Sequence, residues 1–241
     1  MQIGAGLHLV LGGPGPIAES DPLDCSAFLV ETSMGAALFD TGAGRRPEAL
    51  KALLRDLPKL AFCFLTHAHA DHAGGGWILD ELGAPIAAGA RTRKIVEEGD
   101  EAAMSLDRAK RAGIYPSNFR FRPFKVARTL EPGEVVTLGD TTVEALATPG
   151  HCADHLFYLV RGPNLAAFVA GDALFDSGRV VLQDIWDCSV ADTCQSVRLI
   201  AAQTFETFLP GHGPFSLADG HRHARTALAR VERLLAPELF L

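Results

Sequence analysis

Long hydrophobic runs are missing from this sequence of 241 residues. Every apolar stretch is shorter than the roughly 20 residues that a membrane-spanning helix needs, so no membrane partner is expected. The N-terminal residues 1–6 carry no basic group ahead of a long apolar segment, which is the pattern of a secretory signal. The sequence therefore predicts a cytoplasmic protein.

Cysteine is scarce and poorly placed for a disulfide framework. The five cysteines are an odd number, and no two of them form a C-x-x-C pair. This usage is typical of proteins in a reducing compartment, which agrees with a cytoplasmic location. Cys152 adjoins a candidate ligand, and a buried structural thiol is its favoured interpretation.

An excess of positive charge is also absent. The formal net charge is −7 at pH 7, whereas broad nucleic-acid binding needs a basic face. The charge disfavours nucleic acid as a partner and favours a small-molecule substrate. With 48% hydrophobic residues, the chain can bury a large core as a single domain over residues 1–241.

Three histidines and one aspartate follow directly after the apolar run 61–65: His67, His69, Asp71 and His72. Such a run is typical of a short buried strand, so the cluster is expected where that strand opens into a loop. Imidazole and carboxylate are ligand types that suit zinc, iron and manganese. Because alternate residues of an extended chain share a face, His67 and His69 could serve one metal, and Asp71 and His72 another.

Four further apolar runs end in a ligand-capable residue beside glycine. These residues are Asp40, His151, Asp172 and His212. Glycine lets the backbone turn sharply and approach its neighbours closely. Because the arrangement recurs along the chain, it indicates a metal centre rather than a chance run of histidines.

The order of these motifs resembles that of the metallo-β-lactamase-fold superfamily of metallohydrolases. The resemblance covers most of the chain, from about Cys25 to His212. It implies an α/β fold, a four-layer αβ/βα sandwich of two mixed β-sheets with helices on the outer faces. It also implies two divalent metal ions per chain, with zinc favoured and iron or manganese left open.

Seven residues match the metal ligands of that family. They are His67, His69 and His151 for one ion, Asp71, His72 and His212 for the second, and Asp172 as the bridge between them. Asp40 matches a buried aspartate that supports the ligands without binding metal.

Two positions separate branches of the family. Many β-lactamases of this fold have cysteine near the position of Asp172, whereas aspartate there resembles the glyoxalase II, lactonase and ribonuclease branches. Antibiotic hydrolysis is therefore disfavoured. His69 stands where flavodiiron proteins typically have glutamate, which disfavours a redox di-iron centre.

The activity expected from these residues is hydrolysis of a small ester, lactone or thioester by a metal-bound hydroxide. Asp71 is the candidate catalytic residue that accepts and returns a proton. No serine or cysteine nucleophile with a paired base is apparent. Only 29 residues follow His212, so a domain that grips glutathione is not expected.

Two other functions of the same fold stay open as alternatives. One is phosphodiester hydrolysis, as in the ribonuclease branch. The other is a mononuclear iron dioxygenase that acts on persulfides, although the intact second set of ligands speaks against it. A homodimer is left open.

The segment 108–128 holds seven basic residues, interleaved with Tyr115, Phe119, Phe121 and Phe124, and has no acidic residue. A solvated charged face is the favoured interpretation. The alternatives are a lid whose cations meet an anionic substrate, and a surface that stacks single-stranded nucleic acid.

Three other histidines receive predictions. His155 could orient a ligand, bind substrate or be a satisfied core residue, and the sequence does not decide among these roles. His221 and His223 are predicted to be solvated on a last helix over 217–235, with Ser216 as its N-cap.

The apolar patterns predict strands and helices in alternation. The strands are 7–11, 27–31, 36–40, 61–66, 86–88, 134–138, 142–147, 156–161, 166–170 and 206–209. The helices are 47–57, 72–83, 91–112, 191–203 and 217–235.

Overall fold

The computed structural model describes residues 1–13 and 20–240. The chain divides into two compact units, Met1–Leu130 and Glu131–Leu241. Each unit carries one β-sheet with its own helices. The prediction of an α/β chain with two mixed sheets is confirmed, and the single domain over residues 1–241 stays a prediction.

The first unit contains a seven-stranded sheet whose strands follow one another in chain order. They are β1 Gln2–Gly4, β2 Leu7–Leu11, β3 Ala27–Thr32, β4 Gly35–Phe39, β5 Leu60–Phe64, β6 Ile86–Gly89 and β7 Arg128–Leu130. Pairing is antiparallel from β1 to β4 and parallel from β4 to β7. The sequence missed β1 and β7, which at three residues each are too short to show an alternating pattern.

The helices of the first unit are shorter than predicted. They are α1 Pro47–Arg55, α2 Ala70–Ala73, α3 Gly76–Glu81, α4 Ala90–Glu98 and α5 Leu106–Arg111. The predicted helix 91–112 is interrupted because Gly99 adopts φ 65°, the left-handed conformation that commonly ends a helix. The predicted helix 72–83 is likewise divided, at Gly74 and Gly75.

The second unit contains a five-stranded sheet in the order β12-β11-β10-β9-β8. Its strands are β8 Val135–Leu138, β9 Thr141–Ala147, β10 Leu156–Gly162, β11 Leu165–Gly171 and β12 Thr207–Pro210. Only β11 and β12 are parallel in this sheet. Its helices are α6 Val190–Ala201 and α7 His221–Val231, with a 3-10 turn at Asp176–Gly178.

The predicted start of the last helix is wrong. Ser216 does not cap it but exchanges both backbone hydrogen bonds with Phe208, at 2.7 and 2.9 Å. The helix therefore begins only at His221. The predicted solvation of His223 is also wrong, because this residue is buried.

His223 joins the last helix to two other segments. The Ser177 backbone N–H donates to Nδ1 of His223 at 2.7 Å, so the ring proton lies on Nε2, which is 2.9 Å from Oγ of Ser216. Burial, and then the charge of Arg222, lowers the pKa of His223 below its usual value near 6.5. The ring is therefore neutral in the fold at neutral pH.

We expect His223→Gln to lower the free energy of unfolding by about 1–3 kcal/mol near neutral pH, since it disturbs the partly buried hydrogen bonds that the His223 ring makes with Ser177 and Ser216. Below about pH 6.5 the unfolded chain takes up a proton on His223 before the folded chain does. The contribution of His223 is therefore complete above that pH and is lost as the pH falls. Urea unfolding of both proteins at about pH 8 and about pH 5 tests this, and an equal difference at both would contradict it.

Each unit has its own apolar core. In the second unit, Phe168 stacks on Phe205 with ring centroids 4.7 Å apart and on Phe208 at 5.9 Å. In the first unit, fully buried Leu38 and Cys63 come from the neighbouring strands β4 and β5. These packed strands fix the positions at which their carboxyl ends emerge. Among residues 1–13 and 20–240, no helix is both long and apolar enough to cross a membrane.

Candidate metal centre

In the first unit, the parallel strands β4 and β5 end side by side. Asp40 follows β4 directly, and its backbone N–H donates to the carbonyl of Phe64, the last residue of β5, at 3.0 Å. Thr66 and His67 come shortly after that residue. The sheet itself therefore places Asp40 beside the start of the histidine cluster.

The buried side chain of Asp40 accepts three hydrogen bonds. They come from the backbone N–H of Thr66 at 2.8 Å, the Thr66 hydroxyl at 2.9 Å and Nδ1 of His72 at 2.8 Å. Asp40 adopts φ 60°, a left-handed conformation that aspartate tolerates better than most residues. This supports the family-based prediction that Asp40 holds the ligands in place.

These hydrogen bonds fix the tautomers of two histidines. His72 donates from Nδ1 to Asp40, so its lone pair is on Nε2. The Thr66 hydroxyl donates its only proton to Asp40, so its oxygen accepts from Nδ1 of His67 at 2.9 Å. The lone pair of His67 is therefore also on Nε2, the arrangement that outer-shell partners impose on metal-binding histidines.

The four predicted residues of this cluster lie together. The ring of His67 is 4.6 Å from that of His69 and 4.2 Å from that of His72, measured between centroids. Oδ2 of Asp71 is 3.7 Å from Nε2 of His72, too long for a hydrogen bond. Two ligands bound at about 2.0–2.1 Å to one tetrahedral ion are roughly 3.3 Å apart, so the spacing suits a shared cation.

Close backbone contacts hold this cluster in place. The backbone N–H of Thr41 donates to the carbonyl of His72 at 2.7 Å. Gly75 donates to Gly42 at 2.9 Å, and a Cβ at Gly75 would lie 2.3 Å from the carbonyl oxygen of Thr41. Only glycine permits this approach, which explains the run of glycines that follows the histidines.

Cys25 was not singled out from the sequence but packs beside His72. Burial raises the pKa of its thiol to about 12, so it keeps its proton at neutral pH. Its backbone N–H donates to the carbonyl of Asp71 at 3.2 Å. Cys25 therefore packs against the cluster as a neutral thiol.

In the second unit, strand ends again place the candidate ligands. Asp172 follows β11 and His212 follows the parallel strand β12, and the N–H of Gly211 donates to the carbonyl of Gly171 at 2.8 Å. Gly150 precedes His151 with φ 141°, where a Cβ would lie 2.4 Å from Oγ1 of Thr193.

The carboxylate of Asp172 lies between two imidazoles. Its Oδ2 atom is 3.6 Å from Nε2 of His151 and 3.7 Å from Nε2 of His212. The side chain of Asp172 is only 7% exposed and that of His151 only 1%. These separations again exceed a hydrogen bond and match neighbouring ligands of a cation.

His155, whose role the sequence left open, positions Asp172. Its Nε2 atom accepts the backbone N–H of Asp172 at 3.0 Å, so its proton lies on Nδ1 and is donated to Oγ1 of Thr148 at 2.9 Å. The ring is fully buried. Of the predicted alternatives, the structure supports the one in which His155 orients a ligand.

Aromatic rings support His212. Phe175 stacks on the imidazole with ring centroids 6.4 Å apart. Phe240 in turn stacks on Phe175, with centroids 4.5 Å apart. The last described residues of the chain thus contribute to the surroundings of a candidate ligand.

The aromatic residues of the segment 108–128 are less exposed than the sequence suggested. The rings of Tyr115, Phe121 and Phe124 are buried in the core of the first unit. Single-stranded nucleic acid needs exposed rings on which bases can stack, so the stacking hypothesis is wrong for these three residues. The predicted lid stays a prediction.

Some basic residues of this segment form ion pairs or contact an aromatic ring. Arg122 binds Glu81 at 2.7 Å and lies 4.0 Å above the ring of Trp77. Lys110 binds Glu101 at 2.6 Å. The favoured interpretation, a simply solvated face, therefore describes only part of the segment.

The family model of the metallo-beta-lactamase superfamily matches residues 20–224. The chain belongs to the metallo-β-lactamase superfamily. That match spans the elements that carry all seven candidate ligands.

Several curated proteins are similar to this chain. The lactamase-like protein vrtG of Penicillium aethiopicum is 27% identical over 210 residues, which cover 86% of this chain and 56% of that protein. The atrochrysone carboxyl ACP thioesterase of Aspergillus fumigatus is 28% identical, over 85% of this chain and 55% of that protein. The chain therefore spans little more than half the length of these relatives.

A third relative is covered more fully. The acyl-coenzyme A thioesterase MBLAC2 of Gallus gallus is 28% identical over 219 residues, which cover 83% of this chain and 76% of that protein.

Solved structures confirm the metallo-β-lactamase fold. The metallo-β-lactamase with a HARLDQ motif from Cronobacter sakazakii has a TM-score of 0.71 at 18% identity, over 97% of this chain and 94% of that one. The subclass B3 enzyme BJP-1 of Bradyrhizobium japonicum has a TM-score of 0.66 at 22% identity, over 95% and 92%. At these identities the likeness concerns the fold alone.

Proposed function

We propose that this superfamily member is a binuclear metal-dependent hydrolase that acts on small acyl thioesters. The observation that carries the proposal is the pair of ligand clusters, each placed at strand ends and each oriented by buried hydrogen bonds. Esters and lactones share the same acyl chemistry and belong to the substrate range that we propose.

The donor set fits two divalent ions. One ion would be held by His67, His69 and His151, the other by Asp71, His72 and His212, with Asp172 as the shared ligand. Nitrogen and carboxylate donors without a thiolate suit zinc, and also iron or manganese. The fixed Nε2 lone pairs of His67 and His72 support this assignment.

Ions bound there would supply Lewis acidity and would lower the pKa of water to near neutrality. The protein's own part in the reaction falls to Asp71, whose side chain is 23% exposed and is therefore accessible to solvent and substrate. We assign to its carboxylate the acceptance of a proton from the attacking water and its return to the leaving thiolate or alkoxide. Asp40 and His155 hold the ligands in place during these steps.

The relatives' names favour thioesters within this range. One is named an acyl-coenzyme A thioesterase and another an acyl carrier protein thioesterase. The segment 108–128 gives phosphodiesters less support than its sequence suggested, because the rings of Tyr115, Phe121 and Phe124 are buried and cannot stack on bases. The sequence carries a second set of candidate ligands, Asp71, His72 and His212, which disfavours a mononuclear dioxygenase.

A substrate panel on the metal-loaded protein tests the proposal. We expect hydrolysis of acyl-coenzyme A thioesters, with weaker activity on lactones and simple esters and none on bis-nitrophenyl phosphate. Activity should vanish with a chelator and return with zinc, because the ions are part of the site. In ¹⁸O-labelled water, one turnover should place the label in the product carboxylate. Efficient phosphodiester cleavage without acyl hydrolysis, or consumption of O₂ with a thiol-derived substrate, would overturn it.

A further inference from the structure

A cavity of about 420 Å³ lies in the second unit, next to the candidate ligand His212. Its walls include the two segments that leave the ligand positions, residues 176–177 after Asp172 and residues 214–216 after His212. Because consecutive Cα atoms are about 3.8 Å apart, that of Pro214 lies within about 8 Å of that of His212. The volume is in the range of pockets that bind small ligands, so the cavity is large enough for part of a substrate.

Helix α7 supplies a cation to this cavity. Arg222 lines the wall, and its guanidinium donates to two backbone carbonyls at 3.1 and 3.0 Å rather than to a carboxylate. Arg225, one turn further along, pairs with Asp219 at 3.0 Å. The acidic residue of the wall, Asp176, binds Arg179. In the part of the chain that the structure describes, no ion pair therefore offsets the charge of Arg222.

The hydroxyl of Ser216 adds a neutral donor beside that cation. Nε2 of His223 and the guanidinium of Arg222 each lie 2.9 Å from Oγ of Ser216. Nδ1 of His223 accepts the backbone N–H of Ser177 at 2.7 Å, so the neutral ring donates through Nε2. Oγ of Ser216 is thus the acceptor in both contacts. Its own proton is left to donate to a ligand in the cavity, which Ser216 lines.

A guanidinium and a hydroxyl that converge in this way suit an anion with several oxygen acceptors. The planar fork of arginine matches the geometry of phosphate, and hydrogen bonds to a charged acceptor are among the stronger ones. An apolar acyl chain would gain nothing from either donor. The chemistry of the wall therefore favours a phosphate group over the acyl part of a thioester.

We propose that this cavity binds a phosphate group of the thioester's carrier, with Arg222 as the cation and Ser216 as the neutral donor. The inference rests on the proposed function, in which the chain hydrolyses acyl thioesters. In coenzyme A a flexible arm separates the thioester sulfur from the phosphates. A phosphate can therefore occupy the cavity while the thioester lies at the carboxyl ends of β11 and β12, where Asp172 and His212 are placed.

The alternative is that water alone solvates both donors and that no part of the substrate enters the cavity. Arg222→Gln distinguishes the two, because it removes the charge and keeps a polar side chain. Arg225→Gln is the matched control, since it removes the same charge from the same helix at a position that pairs with Asp219 and does not line the cavity.

The measurement compares acetyl-coenzyme A with S-acetylpantetheine, which has the same thioester but no phosphate. For the unmodified zinc-loaded chain and for Arg225→Gln, we expect a higher kcat/KM with acetyl-coenzyme A. For Arg222→Gln we expect this preference to fall about 10-fold or more, mainly through the KM for acetyl-coenzyme A, since one charge-assisted hydrogen bond is lost. A purely structural role of Arg222 would change both substrates equally.

Calorimetric titration of the same proteins with coenzyme A and with inorganic phosphate distinguishes the two sources of phosphate. We expect Arg222→Gln to bind coenzyme A about 10-fold more weakly than the unmodified chain and Arg225→Gln do. If Arg222→Gln weakens the binding of inorganic phosphate but keeps the preference for acetyl-coenzyme A, the cavity takes free phosphate and the assignment to the substrate is wrong.

The outcomes separate this inference from the proposed function. If Arg222→Gln keeps the preference, or lowers kcat/KM equally for both thioesters, the phosphate site is wrong and the proposed function stands. If the unmodified chain hydrolyses neither thioester, the proposed function fails. The titration with coenzyme A then decides about the cavity by itself, and equal binding by all three proteins would overturn the phosphate site.

Discussion

Asp172→Ala should release both metal ions and reduce hydrolysis to the background rate. Asp172 is buried, and its carboxylate lies 3.6 and 3.7 Å from the Nε2 atoms of two histidines. In the proposed centre it is the ligand that both ions share, so its loss leaves each ion one donor short. It also removes the negative charge that offsets two cations in a buried position.

Elemental analysis after gel filtration measures this loss directly. The variant should still fold, because the hydrogen bond from position 172 to His155 uses the backbone N–H and survives the substitution. Asp192→Ala, on the partly exposed first turn of α6, is the matched control and should keep both ions. Retention of both ions by Asp172→Ala would show that the bridging assignment is wrong.

Asp71→Asn should lower kcat by about 10²- to 10⁴-fold, the usual contribution of a positioned proton carrier. The amide keeps the size of the side chain and an oxygen that can bind metal. It cannot take up a proton from water and pass it to the leaving group. The substitution therefore separates proton transfer from metal binding better than alanine would.

Metal content and kcat must be measured on the same preparation, at saturating thioester. Asp107→Asn on α5 changes an exposed aspartate that pairs with Arg111, so it controls for charge alone and should keep full activity. A preparation of Asp71→Asn with two ions and unchanged kcat would rule out the proton-carrying role. A preparation that has lost an ion would show Asp71 mainly as a ligand.

Much of the sheet structure could be predicted from the sequence because most of the strands are short apolar runs. The same pattern identified the candidate ligands, since imidazole and carboxylate groups are uncommon directly after such runs. The run Leu60–Phe64 and the cluster that begins at His67 are the clearest case. Here the local sequence pattern alone predicts both the strand and the position of the candidate ligands at its end.

Other features depend on contacts that a local pattern does not contain. Gly99 ends α4 within a stretch that otherwise resembles one long helix. Ser216 has the side chain of an N-cap but pairs with Phe208, and His223 is buried by segments distant in sequence.

The conformation of Asp40 has a consequence for which residues can replace it. Glycine would adopt φ 60° without strain but would offer no oxygen to the three donors that converge there. Glutamate would bring the carboxylate on a longer arm and would strain the left-handed backbone. Asparagine tolerates that backbone, yet its amide has one acceptor oxygen where two are used. Backbone geometry and hydrogen bonding thus restrict this position independently, and aspartate is the residue that meets both demands, which makes position 40 one of low mutational tolerance.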